Sequence, residues 1–178
     1  KLSEWQKLGK NELYISVNIS AKDFYYMDVY KTITTLVEKY GIIPKTLKLE
    51  ITETAIMTGI SGELEILEQF RNYGFQVEID DFGSGYSSLN TLKDMDVDVL
   101  KIDMGFLRTT KPDRIQRSMS ILNNIIDLSK TLGLSVITEG VETKEQVTAL
   151  TKMGCRIYQG YYFSKPIPIE EFENTYLK

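Results

Sequence analysis

The run Glu78-Ile79-Asp80-Asp81-Phe82-Gly83-Ser84-Gly85-Tyr86-Ser87-Ser88 sets two adjacent acids where a strand-like segment, Phe75 to Ile79, meets a glycine-rich turn. Neighbouring carboxylates repel, so such a pair is costly unless cations lie between them or water bathes both. A solvated acidic turn is the ordinary fate of Asp-Asp. Other segments, however, also end on polar groups in a matching phase. Asn18 shares a face with Tyr14 and Ser16, Glu50 opposes Leu49 and Ile51, and Asp80 shares a face with Gln76 and Glu78. Lys101 opposes Leu100 and Ile102, Glu139 opposes Val136 and Thr138, and Gln159 follows Ile157. A ring of these groups has hard oxygen donors in excess, the set that suits Mg²⁺ or Mn²⁺. Asp80 and Asp81 together can bridge two ions about 3.5–4 Å apart, the separation used for in-line attack on phosphate esters. Such ions lower the pKa of a bound water and neutralise phosphoryl charge. Lys101 would orient that water or act as a point charge on the transition state. A buried ion-pair network is the alternative, since buried charges persist when paired as well as when metal-bound.

Other chemistries find less support. The chain has no histidine, which excludes His-based triads and His-ligated zinc. Asp81-Phe82-Gly83 spells the metal-binding tripeptide of protein kinases, but no glycine loop or His-Arg-Asp element accompanies it. Gly83-Ser84-Gly85 is too short for a dinucleotide fingerprint. Tyr25-Tyr26 and Tyr161-Tyr162 can stack bases, although aromatic pairs are more often core or interface.

The elements that position the ring follow from periodicity. The 178 residues suffice for one domain with a sizeable core, and 42% hydrophobic with 26% charged residues is ordinary for a globular chain. A net charge of −4 with no basic stripe argues against duplex nucleic acid, so an anionic substrate would need metal ions to offset local charge. Cys155 is the only cysteine, which points to a reducing compartment, and no apolar run approaches the length of a membrane span. A cytoplasmic setting without membrane contact is expected. Strands are expected at Tyr14–Ile19, Leu47–Glu53, Phe75–Ile79, Val99–Asp103, Leu134–Glu139 and Arg156–Gln159. Helices are expected at Leu2–Leu8, Val29–Tyr40, from a Ser61 cap to Gly74, Ser88–Lys93, Asp113–Leu132, from a Thr143–Gln146 capping box to Met153, and Ile169–Tyr176.

That alternation, about six βα units, argues a parallel sheet with helices outside. Strands of an open doubly wound sheet are apolar on both faces, whereas Leu47, Leu49 and Ile51 here oppose Lys48, Glu50 and Thr52. A closed (β/α)₈ barrel puts one strand face on the helices and the other on the axis, with the site at the carboxyl ends. The expected class is therefore α/β, a TIM-type barrel, in one domain over residues 1–178.

With these residues in place, the chain resembles the EAL-domain family of bacterial cyclic di-GMP phosphodiesterases. The resemblance rests on Val17-Asn18-Ile19-Ser20, Leu49-Glu50-Ile51-Thr52-Glu53, Asp80 through Leu89, Lys101-Ile102-Asp103, Glu139-Gly140-Val141-Glu142-Thr143 and Gln159-Gly160. It implies a (β/α)₈ barrel that hydrolyses cyclic di-GMP to linear pGpG with Mg²⁺ or Mn²⁺. It implies Asn18, Glu50 and Asp80 as metal ligands, Asp81 as ligand of a second metal, and Lys101 and Glu139 as the residues that position the water. Glu53 would anchor the loop after Asp81, and Glu142 and Gln159 would stand near the metals and substrate. The Phe82–Ser88 loop, with Phe82, Gly83 and Ser84, would couple contacts in a homodimer to metal binding. Sensory or cyclase domains often neighbour such modules.

The sequence departs from the family in one respect. The Glu-Ala-Leu strand that gives the family its name, and the strand before it, are not found. The visible strands correspond to the family's third through eighth, so a fragment lacking two strands is expected, itself inactive or nearly so. A non-catalytic cyclic di-GMP receptor, or a dimerising signalling module, is the alternative to an enzyme.

Overall fold

A computed structural model describes residues 1–53, 55, 62–84, 92, 96–108 and 111–177. Among these, six strands form one parallel sheet in sequential order: β1 (Ile15–Ile19), β2 (Leu47–Thr52), β3 (Gln76–Phe82), β4 (Val99–Ile102), β5 (Ser135–Thr138) and β6 (Ile157–Tyr158). Strictly neighbouring parallel strands require a crossover between each pair; described helices supply four of the five, and most of the β3–β4 connection lies outside the described residues. The helices are α1 (Leu2–Lys7), α2 (Ala21–Tyr26), α3 (Val29–Tyr40), α4 (Glu63–Tyr73), α5 (Pro112–Thr131), α6 (Lys144–Met153) and α7 (Ile169–Tyr176).

Local chemistry sets the helix ends. Asp28 caps α3 by accepting from the Lys31 amide at 2.9 Å, and Gly41 closes it in the left-handed region that a Cβ disfavours. Thr143 and Gln146 form the expected capping box on α6. Ser20 and Asp23 form another on α2, a helix the sequence pattern does not announce. The short helix expected at Ser88–Lys93 and the Ser61 cap fall outside the described residues, Leu92 excepted.

The alternation in the strands becomes two surfaces. Leu49, Ile51, Val77, Ile79, Leu100 and Ile102 are buried with Phe70, Leu122, Ile126 and Leu150 in one apolar core between sheet and helices. The opposite face carries Lys48, Glu50, Glu78, Asp80 and Lys101. The sheet curves around that face. Glu50 on β2 and Lys101 on β4 are two strand spacings apart, about 9–10 Å in a flat sheet, yet their side chains meet. This is the expected α/β barrel wall, in six strands. Among the described residues β1 and β6 each pair on one side only, so the sheet is not closed.

Strand bounds differ from expectation most at β3, which runs on through both acids to Phe82 instead of stopping at Ile79. No helix among the described residues is long and apolar enough to cross a membrane.

Candidate active site

Asp80 and Asp81 reach one site because β3 is irregular there. Ile79 pairs with Leu100 and Phe82 with Ile102, so three steps along β3 match two along β4. The extra residue is a bulge, a device that re-aims a side chain. Within it Asp81 has φ 56°, a left-handed conformation that asparagine and aspartate tolerate better than other non-glycine residues. Strict alternation would send Asp81 towards the helices; the bulge turns it to the side of Asp80.

Lys101 gathers the acids. Its Nζ lies 2.7 Å from Asp80 Oδ1, 2.9 Å from Glu139 Oε1 and 3.0 Å from Glu50 Oε1, and the residue is only 3% exposed. Glu139 stands one residue past β5, its amide donating to the Ile102 carbonyl at 3.0 Å. Burial opposes the charge on Lys101, but hydrogen bonds to Asp80, Glu139 and Glu50 outweigh it and hold the ammonium above the ordinary lysine range. Burial pushes the Glu139 carboxyl up, against the pull of Lys101. Burial also raises Asp81, and the neighbouring charges of Asp80 and Asp103 raise it further.

One ammonium thus contacts three carboxylates with Asp81 as a fourth acid close by, which leaves the cluster, among the described residues, short of positive charge. Oxygens of Asp80, Asp81 and Glu139 all lie within 4.8 Å of one another. An all-oxygen, charge-deficient set fits a hard divalent cation, which Asp80 and Asp81 would hold together with Glu50, the other β-strand acid on Lys101. Asn18 is exposed and pairs with Glu50 across β1 and β2, which places it at the margin of the same cluster.

The supporting residues divide. Glu53 is buried and accepts from the Gly83 amide at 3.2 Å, tying the turn after Asp81 to the end of β2. Gly83 has φ 91°, and a Cβ there would lie 2.5 Å from the Phe106 ring. Gly83→Ala is expected to destabilise the protein by about 2 kcal/mol through backbone strain and that overlap; an unchanged urea midpoint would contradict this. Phe82 points into the apolar core, and Ser84 is exposed with its amide donating to the Asp81 carbonyl. Gly85 to Leu89 lie outside the described residues.

Beyond Glu139 opens a cavity of about 360 Å³ lined by Arg108, Glu142, Gln159, Tyr161 and Lys165 among others. Arg108 pairs with Glu142 at 3.3 Å on its rim. Thus Glu50, Asp80, Asp81, Lys101 and Glu139 converge, Glu142 and Gln159 line the adjoining cavity, and Glu53 sits beneath the turn. Sequence reasoning passes over Asp103 as a site residue, although its place two residues after inward Lys101 is the signal. Tyr161, named in the sequence as half of a possible base-stacking pair, does line this cavity, whereas Arg108 and Lys165 carry no signal, because loops with no fixed period bring them there.

The EAL domain family matches residues 1–166, and the chain belongs to that family. It is 37% identical over 171 residues to the cyclic di-GMP phosphodiesterase NbdA of Pseudomonas aeruginosa, covering 94% of this chain and 22% of that protein. The solved MucR phosphodiesterase of the same organism, a complex with c-di-GMP, superposes with TM-score 0.86 at 35% identity, covering 96% of this chain and 68% of that one. A Klebsiella pneumoniae complex with manganese and cyclic di-GMP matches with TM-score 0.82 at 28% identity, covering 93% of this chain and 42% of its own. The chain spans between 21% and 24% of the length of the first three curated relatives.

Proposed function

We propose that these residues belong to a phosphodiesterase that hydrolyses one ester of cyclic di-GMP to give linear pGpG, using Mg²⁺ or Mn²⁺. The observation that carries the reading is the convergence of Glu50, Asp80, Asp81 and Glu139 around one lysine beside an open cavity, in a chain of this family. Asn18, Glu50, Asp80 and Asp81 would hold two divalent ions, which when bound supply an activated water and neutralise phosphoryl charge. Lys101 keeps the carboxylates oriented and, fully charged at neutral pH, sets the water's approach. Glu139 lies between the cluster and the cavity. From there, held by Lys101 at 2.9 Å, it would help position that water. The cations Arg108 and Lys165 and the Tyr161 ring suit a phosphate and a base of one nucleotide half.

Turnover is assigned to a complete barrel, because an eight-stranded wall closes only when two further strands bridge β1 and β6. Homodimerisation through the turn after Asp81, a neighbouring sensory or cyclase domain and a cytoplasmic setting accompany the proposal. The test is chromatography of cyclic di-GMP incubated with the full-length protein and Mn²⁺ or Mg²⁺. Linear pGpG is expected. Saturable binding without any product would instead make the domain a receptor.

A further inference from the structure

A second charged pair lies on the inner face, beside the catalytic cluster. Asn18, Glu50 and Glu78 are register partners across β1, β2 and β3, so Glu78 stands beside Glu50 and two residues before Asp80 on the same face. It is completely buried, at 0% exposure. Lys48 Nζ lies 3.0 Å from Glu78 Oε1, and the Ser16 hydroxyl donates weakly to Oε2 at 3.4 Å. Among the described residues Oε1 accepts no hydrogen bond of good geometry, and the Lys48 charge is what holds it. On its other side the Lys48 ammonium lies 3.8 Å from the centre of the Tyr14 ring, a cation–π contact that fixes it away from the carboxylates near Lys101.

Stability does not explain this pair. Replacing a buried ion pair by apolar residues of similar size is often neutral or stabilising. Its position does suggest a role. Glu78 is a further inward acid, register partner of Glu50 and two residues before Asp80, both proposed metal ligands, and it is fully buried. We propose that Lys48 is a positioning residue that holds the Glu78 carboxylate away from the metal cluster and keeps it from entering as an extra ligand. Without Lys48, the other inner-face cations available among the described residues are Lys101 and whatever ion the cluster binds, and Glu78 would turn to them. An added carboxylate tightens metal binding and over-neutralises the ion, which then activates water less well.

The inference rests on the metal reading above, and manganese titration calorimetry on the full-length protein separates the two. Lys48→Met is expected to bind Mn²⁺ about tenfold more tightly than wild type. Its kcat should fall about tenfold with KM within twofold. Lys48→Met combined with Glu78→Gln should return both to wild-type values. Lys48→Gln serves if Lys48→Met does not fold, with a smaller shift of the same sign. Unchanged or weaker manganese binding in a folded variant, or no recovery in the double variant, would overturn the proposal. If neither single variant folds, the pair is a structural prop and the proposal fails as well. Wild type that binds no manganese would instead contradict the metal reading itself.

Discussion

Lys101→Met is expected to lose about 3–5 kcal/mol of stability without metal and about 10²–10³-fold in turnover. Three carboxylates contact this ammonium at 2.7 to 3.0 Å, and removing it leaves them facing one another with little water. Breaking a buried pair from one side costs far more than the pair contributes net, because a desolvated charge is left behind. Mn²⁺ should therefore stabilise the variant more than it stabilises wild type. An ion present at about a hundred times its Kd adds roughly 2.7 kcal/mol to a protein that binds it only when folded. Paired thermal melts with EDTA and with Mn²⁺ read both effects. A variant that melts with wild type in EDTA would show that Lys101 does not hold the carboxylates together.

Asp81→Asn is expected to do the reverse: stabilise the metal-free protein, by an amount that solvent screening of a partly exposed group keeps small, while lowering turnover at least a hundredfold. Asparagine accepts φ 56° as aspartate does, so the bulge survives and only the charge is lost. Burial and the charges of Asp80 and Asp103 raise the Asp81 pKa above its ordinary 3.8. A carboxyl raised on folding contributes its stability below the unfolded value and loses it as pH rises through the folded value. The variant's advantage should thus be absent below the ordinary carboxylate range, appear across the raised one and persist at neutral pH. Glu139, likewise raised by burial, shifts wild type in the same sense. Asp81 must also give up its proton to a metal, so manganese affinity should weaken on acidification. Urea unfolding in EDTA at acid and neutral pH checks the sign. An Asp81→Asn protein less stable than wild type at neutral pH would refute the crowding.

Much of this site is written in local pattern. The strict alternation of Leu47 to Thr52 reveals both which face of β2 meets the helices and that Glu50 lies on the other. Repetition of that phase at Asn18, Asp80, Lys101 and Glu139 indicates that one face of a curved wall collects the polar groups. Thr143 and Gln146 announce α6 because a capping box is a contact within four residues.

What remained hidden depends on register between strands. Alternation alone places Asp80 and Asp81 on opposite faces; only the mismatch between β3 and β4 turns Asp81 inward, and no residue type marks it. Lys48 and Glu78 read as ordinary inward polar residues, since their pairing is a matter of neighbouring strands 30 residues apart. Helix α2 escaped because it has no fully buried residue and therefore no apolar period, leaving Tyr25 and Tyr26 exposed. The cavity beyond Glu139 draws on loops after β4, β5 and β6, whose convergence is a property of the whole wall.

The claim beneath all of this is that crowded acids at the carboxyl ends of the strands form a divalent-ion site. Crystals of the full-length protein soaked in Mn²⁺ and measured at the manganese absorption edge test it most directly. Anomalous density among Glu50, Asp80 and Asp81, diminished in Asp80→Asn, is the predicted result. A well-ordered wild-type site with those three carboxylates in place and no anomalous peak between them would contradict the account.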